Sequence, residues 1–215
     1  MSDTKGKQII RRLENVRLSF PYLFKPRSYE KDDGSKGEPQ YEATLLMDKE
    51  RHASLIAQIK ADMKQIKEGK WPSASGVKGC LRSGDDKEDL EGYGDSVMFL
   101  KAKSRRKPVV VDRRRVDVNE ESGTVYAGCI VNAVISYWCS DHPKGGKRIL
   151  ANLLVIQFVK DAPAFGSSAV DPDDVLDDLG EGSGASKGED DEDYIPGIDG
   201  PARGKNKGEE KDDIL

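Results

Sequence analysis

Apolar and polar residues alternate over residues 15–20, with Val16, Leu18 and Phe20 on one face and Arg17 and Ser19 on the other. That is the pattern of a half-buried strand with Phe20 in the core. Residues 41–47 alternate in the same way, and the Lys-, Asp- and Gly-rich stretch 29–39 between them reads as a polar loop. Asp48 follows as an N-cap, and Leu55, Ile56, Ile59, Met63 and Ile66 recur at helical spacing until Gly69. This amphipathic helix must lay its apolar side on a sheet or barrel. Residues 71–92 hold Pro72, four glycines and an acidic run, and read as a long loop. Further strands are predicted over 96–103, 109–112, 124–138 and 148–160, with a turn at 120–123 and a hairpin loop at 142–147. Gly128 inside the long strand 124–138 suggests a bulge or sharp bend that lets one strand serve two sides of a barrel. About six mostly antiparallel strands and one helix predict a mainly-β fold, a small closed or partly open barrel.

Beyond residue 165 the pattern stops. Residues 166–215 are rich in Gly, Ser, Asp and Glu, with only isolated apolar positions, so their expected state is disorder. The predicted division is therefore a folded domain over 1–165 and an acidic tail over 166–215. Charge sharpens this division. The net charge of −4 conceals a body with 30 Lys+Arg against 23 Asp+Glu and a tail with 5 against 16. A basic body on an acidic tail points to a polyanion as partner, and to a tail able to compete for the same surface. No run is long and apolar enough for a membrane helix. The start of the chain has no apolar stretch suited to a signal peptide, and three scattered cysteines do not make a disulfide framework. These features predict a soluble protein of a reducing, cytoplasmic compartment.

Signatures of catalysis are poor. No Walker or dinucleotide loop and no Gly-x-Ser-x-Gly elbow occurs. Cys139 and His142 have metal-like spacing, but a structural zinc site needs four ligands and the remaining candidates are scattered. No cofactor is expected and the reading is of a binding protein, not an enzyme; a metal-dependent nuclease is the minority alternative. Nucleic-acid signals are better. Over 96–103, Met98, Leu100 and Ala102 form an apolar face, while Phe99, Lys101 and Lys103 share the other with Val97. Arg105, Arg106 and Lys107 continue the charge, and Arg113, Arg114 and Arg115 follow the next short strand. If that strand pairs as a hairpin with 96–103, the two basic clusters lie close together. Cations for phosphates and a ring for an unstacked base are what a single strand requires. Tyr137 and Trp138 are neighbours on one strand and so point to opposite faces, one into the core and one free to stack. Lys144 and Lys147 sit in the adjoining hairpin, where they would touch a phosphate backbone.

The run Asn15-Val16-Arg17-Leu18-Ser19-Phe20-Pro21 is followed by Tyr41-Glu42-Ala43-Thr44-Leu45-Leu46-Met47-Asp48-Lys49 leading into a helix. With Pro108-Val109-Val110-Val111-Asp112, Tyr126-Ala127-Gly128-Cys129 and Val155-Ile156-Gln157-Phe158-Val159-Lys160-Asp161, it resembles a family of bacteriophage single-stranded-DNA-binding proteins. The resemblance spans nearly all of residues 13–166. It implies an OB-fold body with an acidic, flexible tail, sequence-independent binding of single-stranded DNA in replication, recombination or repair, and a place in the host cytoplasm. The ending Asp212, Asp213, Ile214 and Leu215 resembles the acidic tips through which bacterial single-strand binders dock replication and repair proteins, although it lacks a Pro-Phe end. A recombination annealing protein is the alternative within the same chemistry. Oligomeric state stays open, a homo-oligomer being compatible with the pattern.

Overall fold

The computed structural model of the chain describes residues 8–30, 34–143 and 145–166. Its first strand, β1 (Ile10–Arg27), is far longer than its alternating segment. Its first half pairs with β6 (Ile130–His142) and its second with β2 (Gln40–Asp48), both antiparallel. Asn15 (φ 56°) and Phe20 (φ 48°) take left-handed backbone conformations where the two registers shift. β1 therefore bulges twice and turns between two walls of the barrel. The bend assigned to Gly128 belongs here, and the expectation of a strand over 124–138 is corrected. β6 begins only at Ile130, and Gly128 lies in the connection before it. Glycine is required there for another reason: at φ 105° a Cβ would collide with the Pro163 carbonyl oxygen. The second bulge also corrects the placement of Phe20. Val16 and Leu18 are fully buried, but the left-handed turn swings Phe20 outward to 37% exposure.

The helix, α1 (Ala53–Lys70), starts later than its expected cap. Asp48 Oδ1 accepts from the backbone N–H groups of Glu50 (3.0 Å) and Arg51 (2.7 Å), so it caps the turn between β2 and α1 rather than the helix. α1 buries Ile56, Ile59 and, unusually, Asp62. That carboxylate accepts bonds from Arg11 Nε (2.8 Å) and Arg11 Nη2 (2.7 Å) on β1, and from the Tyr137 hydroxyl (3.1 Å) on β6. One charged network thus ties the helix to two strands. Burial, helped by the Asp62 charge, pushes the Tyr137 phenol well above its ordinary range.

The expected loop 71–92 contains a short strand, β3 (Leu81–Ser83), and a 3₁₀ turn, Gly84–Lys87. β3 pairs with β4 (Val97–Ser104), and β4 with β2. The ring β1–β2–β4–β7–β6 closes where β4 meets β7 (Gly146–Lys160) in parallel, at Ala102 with Ala151 and Lys103 with Asn152. β5 (Val109–Val111) also pairs in parallel with β7, further along at Val155, Ile156 and Gln157. The expected hairpin between β4 and β5 does not form; the two strands follow one another along the same edge of β7. The β6–β7 turn is tighter than the sequence suggests, His142 pairing directly with Gly146. Inside the ring, Leu13, Leu18, Leu45, Leu100, Ile135, Leu153 and Ile156 are essentially inaccessible. Five strands closed around such a core, with one helix packed on them, make an OB-fold.

Candidate nucleic-acid interface

Alternation on β4 sends Leu100 and Ala102 into the barrel and Phe99, Lys101 and Lys103 to its outer surface. β3 places Arg82 opposite Phe99 on the same surface. β6 adds Trp138, 47% exposed, and the start of β7 adds Arg148 and Leu150. These side chains, with Lys78 and Lys87 from the 71–92 segment, line one cleft of about 300 Å³. Six cations and two rings therefore share a single concavity. β6 settles its pair of rings as alternation requires. Tyr137 is 6% exposed and bonded to Asp62 in the core, while Trp138 faces the cleft.

Two of the lysines are not free. Glu42 on β2 points to the outer surface, yet is only 2% exposed, because it lies beneath Lys101, Lys103 and Tyr29. Lys101 and Lys103 each form an ion pair with it, Lys103 at 3.3 Å, and the Tyr29 hydroxyl donates to it. Both ammonium groups also lie over the Tyr29 ring, Lys103 at 4.2 Å and Lys101 at 5.2 Å. Burial alone would push the Glu42 carboxyl up. The hydrogen bonds from Lys101 and Tyr29 and the charges of both lysines outweigh it and hold the group below its ordinary range. Burial would likewise lower the Lys101 ammonium, but its contacts with Glu42 and Tyr29 raise it.

Lys87 closes one end of the cleft in an aromatic cage. Its Nζ lies 5.5 Å from the centroid of Phe99, 5.6 Å from Phe20 and 5.7 Å from Tyr93. Phe99 is 3% exposed beneath it and meets Tyr93 edge-on, with centroids 5.4 Å apart. Beside the cage, residues 161–166 are strapped to the barrel. Tyr126 donates to the Ala162 carbonyl (2.9 Å), Arg17 donates to the Pro163 carbonyl (2.7 Å), and the Arg17 guanidinium stacks on Phe165 at 4.2 Å. Gly166 N–H ends the strap on Glu91 (2.9 Å), in the loop that carries Tyr93.

The other candidate residues are dispersed. Arg105 is exposed and paired with Glu38 at 2.6 Å, Arg106 is exposed, and Lys107 lies 5.9 Å from the Phe24 ring. Lys147 pairs with Asp141 at 3.1 Å and lies 6.0 Å from Trp71. Lys144, Asp212, Asp213, Ile214 and Leu215 lie outside the described residues. Arg113 donates to the Val159 carbonyl, about 23 Å along β7 from Asn152 at a rise of about 3.3 Å per residue. Arg114 and Arg115 continue that turn, so this cluster stands apart from the cleft. Its expected nearness rested on the β4–β5 hairpin, which does not exist. Conversely, Lys78, Arg82, Lys87, Tyr29, Tyr93 and Glu42 were not singled out from the sequence.

A larger groove of about 690 Å³ opens at the other end of β6, lined by Arg11, Arg12, Arg51, His52 and Lys160 among others. It contains no Phe, Tyr or Trp, and Arg11 and Arg12 are already paired with Asp62 and Glu14. Among the described residues no three His, Cys, Asp or Glu side chains converge as a metal site requires, and burial pushes the Cys80 thiol up to about 12. No helix of the described residues is long and apolar enough to cross a membrane.

A closed OB-fold barrel carrying a basic, ring-bearing cleft on its outer surface defines the class: OB-fold proteins that hold extended single strands. Comparison gives the family. The profile of the family described as "Enterobacter phage Enc34, ssDNA-binding protein" matches residues 8–192, and the chain belongs to that family. It is 34% identical over 179 residues to putative protein p50 of Acyrthosiphon pisum secondary endosymbiont phage 1, spanning 78% of this chain and 92% of the relative. Among solved structures it resembles the single-stranded DNA-binding protein from bacteriophage Enc34 in complex with ssDNA. That match has 31% identity and a TM-score of 0.63 over 73% of this chain and 89% of the other. A second structure of the Enc34 protein matches at 30% identity and a TM-score of 0.61, over 78% and 90% of the two chains.

Proposed function

We propose that this chain binds single-stranded DNA without sequence preference, through the cleft between β3, β4, β6 and β7, and that it does so without catalysis. The observation that carries the reading is the placement of the exposed Trp138 among Lys78, Arg82, Lys87, Lys101, Lys103 and Arg148. The ring supplies a face on which any base can stack, and the cations follow the phosphate backbone. Phe99 lies at the floor of this site, and Arg113, Arg114 and Arg115 are outside it. Family membership supports the ligand class, and the Enc34 relative was solved in complex with ssDNA.

The proposed division of labour is a binding body over 1–165 and an acidic tail over 166–215. The tail, carrying 16 Asp+Glu against 5 Lys+Arg, competes for the cleft and becomes available to phage or host replication and recombination proteins when DNA displaces it. Asp212, Asp213, Ile214 and Leu215 are the proposed docking tip. The place of action is the cytoplasm of the host cell.

The test is fluorescence anisotropy with a labelled strand of about 30 nucleotides, longer than the roughly 4–16 that one OB-fold covers. Duplex of the same sequence serves as comparison, over a range of salt. We expect strong preference for the single strand and a log–log salt slope of about −2.8 to −3.5, from about 4–5 phosphate contacts at ~0.7 each. Failure to bind, with the tail or without it, rejects the reading. Removing residues 166–215 is expected to tighten binding several-fold at low salt, less so at high salt; unchanged affinity at low salt rejects the competing tail alone.

A further inference from the structure

Glu42 is out of place for a surface built to meet a polyanion. It sits under the centre of the basic wall with one carboxylate oxygen turned to Lys101 and the other to Lys103, and it is almost wholly inaccessible. Three charges in that corner therefore sum to +1, not +2. The described contacts of Glu42 are Tyr29, Lys101 and Lys103, and Tyr29 bears no charge that could replace theirs.

From this we infer that Glu42 limits the affinity of the cleft for DNA, a built-in brake on the two lysines above it. The inference rests on the single-strand-binding reading of the same cleft. A phosphate approaching Lys101 or Lys103 has two courses. Where the lysines stay on Glu42, the phosphate meets a half-neutralised pair and is repelled by the carboxylate behind it. Where it draws them off, the carboxylate is left buried with only a hydroxyl donor, and burying an uncompensated charge is costly. Either course weakens binding relative to the same lysines without the carboxylate. The four other cations of the cleft, Lys78, Arg82, Lys87 and Arg148, have no ion pair with a carboxylate among the described contacts, and so carry the larger share of phosphate binding.

The experiment compares native protein with Glu42→Gln, which keeps the side chain's shape and a carbonyl oxygen to accept from Tyr29, in the same anisotropy titration. Both lysines are then released to the strand. We expect about 3- to 10-fold tighter binding at low salt and a slope steeper by about 0.7, the increment for one further phosphate contact on a single strand. In a background carrying Lys101→Met and Lys103→Met, Glu42→Gln should lose the steeper slope and most of the gain, keeping only the relief of the carboxylate's own repulsion. Native binding with an unchanged slope and affinity in Glu42→Gln overturns the brake while leaving the cleft intact. Weaker binding with a shallower slope overturns it too, and makes Glu42 a residue that positions the lysines for phosphate. Salt-independent or absent binding by native protein rejects the functional reading itself. Where Glu42→Gln fails to fold, as judged by its melting curve, Lys101→Met against Arg82→Met decides. The inference requires the first to cost less than about 3-fold and the second clearly more; equal or reversed costs overturn it.

Discussion

Trp138→Ala lowers affinity for single-stranded DNA by roughly 5- to 150-fold and leaves the salt slope as it was. The magnitude follows from about 1–3 kcal/mol for one base stacked on one ring. The unchanged slope follows because no cation is removed. Trp138 suits this role because strand geometry separates it from its neighbour: Tyr137 fills the core and bonds Asp62, and the next side chain must emerge on the outer surface. At 47% exposure its indole contributes little to the core, so the melting temperature should hardly move. Intrinsic fluorescence gives an independent check. The chain has two tryptophans, Trp71 and Trp138, and stacking should quench the second on DNA addition. Loss of the quench in Trp138→Ala, with Trp71 still emitting, identifies the stacked ring. A retained quench and retained affinity would move the stacking site to Trp71, whose ring lies 6.0 Å from Lys147 Nζ.

Asp62→Ala has the opposite signature, a stability loss of about 2–4 kcal/mol with DNA affinity preserved below the melting point. Three hydrogen bonds converge on this carboxylate, two from Arg11 and one from Tyr137, and it is 6% exposed on the helix face that packs against the barrel. Removing one partner of a buried ion pair typically costs about 3–5 kcal/mol. Arg11 keeps some access to water, at 26% side-chain exposure, which lowers the figure. The Tyr137 hydroxyl, left buried without its acceptor, raises it again. For a domain of this size the loss corresponds to a fall in melting temperature of about 5–15 °C. Asp62→Asn, which keeps an acceptor but not the charge, should fall between. Melting curves followed by circular dichroism measure both, and an alanine variant that melts with the native protein would show the network to be ornamental.

How far the sequence reached is best seen strand by strand. The alternation of β4 was legible, because a regular strand with one buried face writes it directly, and it separated Leu100 and Ala102 from Lys101 and Lys103; Phe99, read as a ring for an unstacked base, is instead 3% exposed beneath Lys87 and Tyr93. For Tyr137 and Trp138 alternation said only that one faces out, and the fold alone shows it to be Trp138. Phe20 was not legible, since its outward swing depends on one left-handed residue that hydrophobicity does not encode. β3 spans three residues, too few for any periodicity, and with it Arg82 was hidden. Lys87 lies in an acidic run and read as solvated loop; only the fold brings Phe20, Tyr93 and Phe99 around it. The isolation of Arg113 from the cleft turned on parallel pairing of β4 and β5 with β7, a choice made by contacts some 50 residues apart in the chain. Glu42 looked like an ordinary polar position on an alternating strand. What makes it unusual is its neighbours, and two of those come from a different strand.

The way the ring is closed also sets when this protein can come into being. β1 needs β6, synthesised over a hundred residues later, along its leading half, and β4 needs β7 to seal the ring. Such long-range pairings must await loop closure, and folding rates fall as contacts become less local. Until β7 has been synthesised, the nascent chain has only an open β3–β4–β2–β1–β6 sheet with an unpaired edge and an apolar inner face. A message cut short within β7 is therefore expected to yield an aggregating fragment rather than a weaker binder.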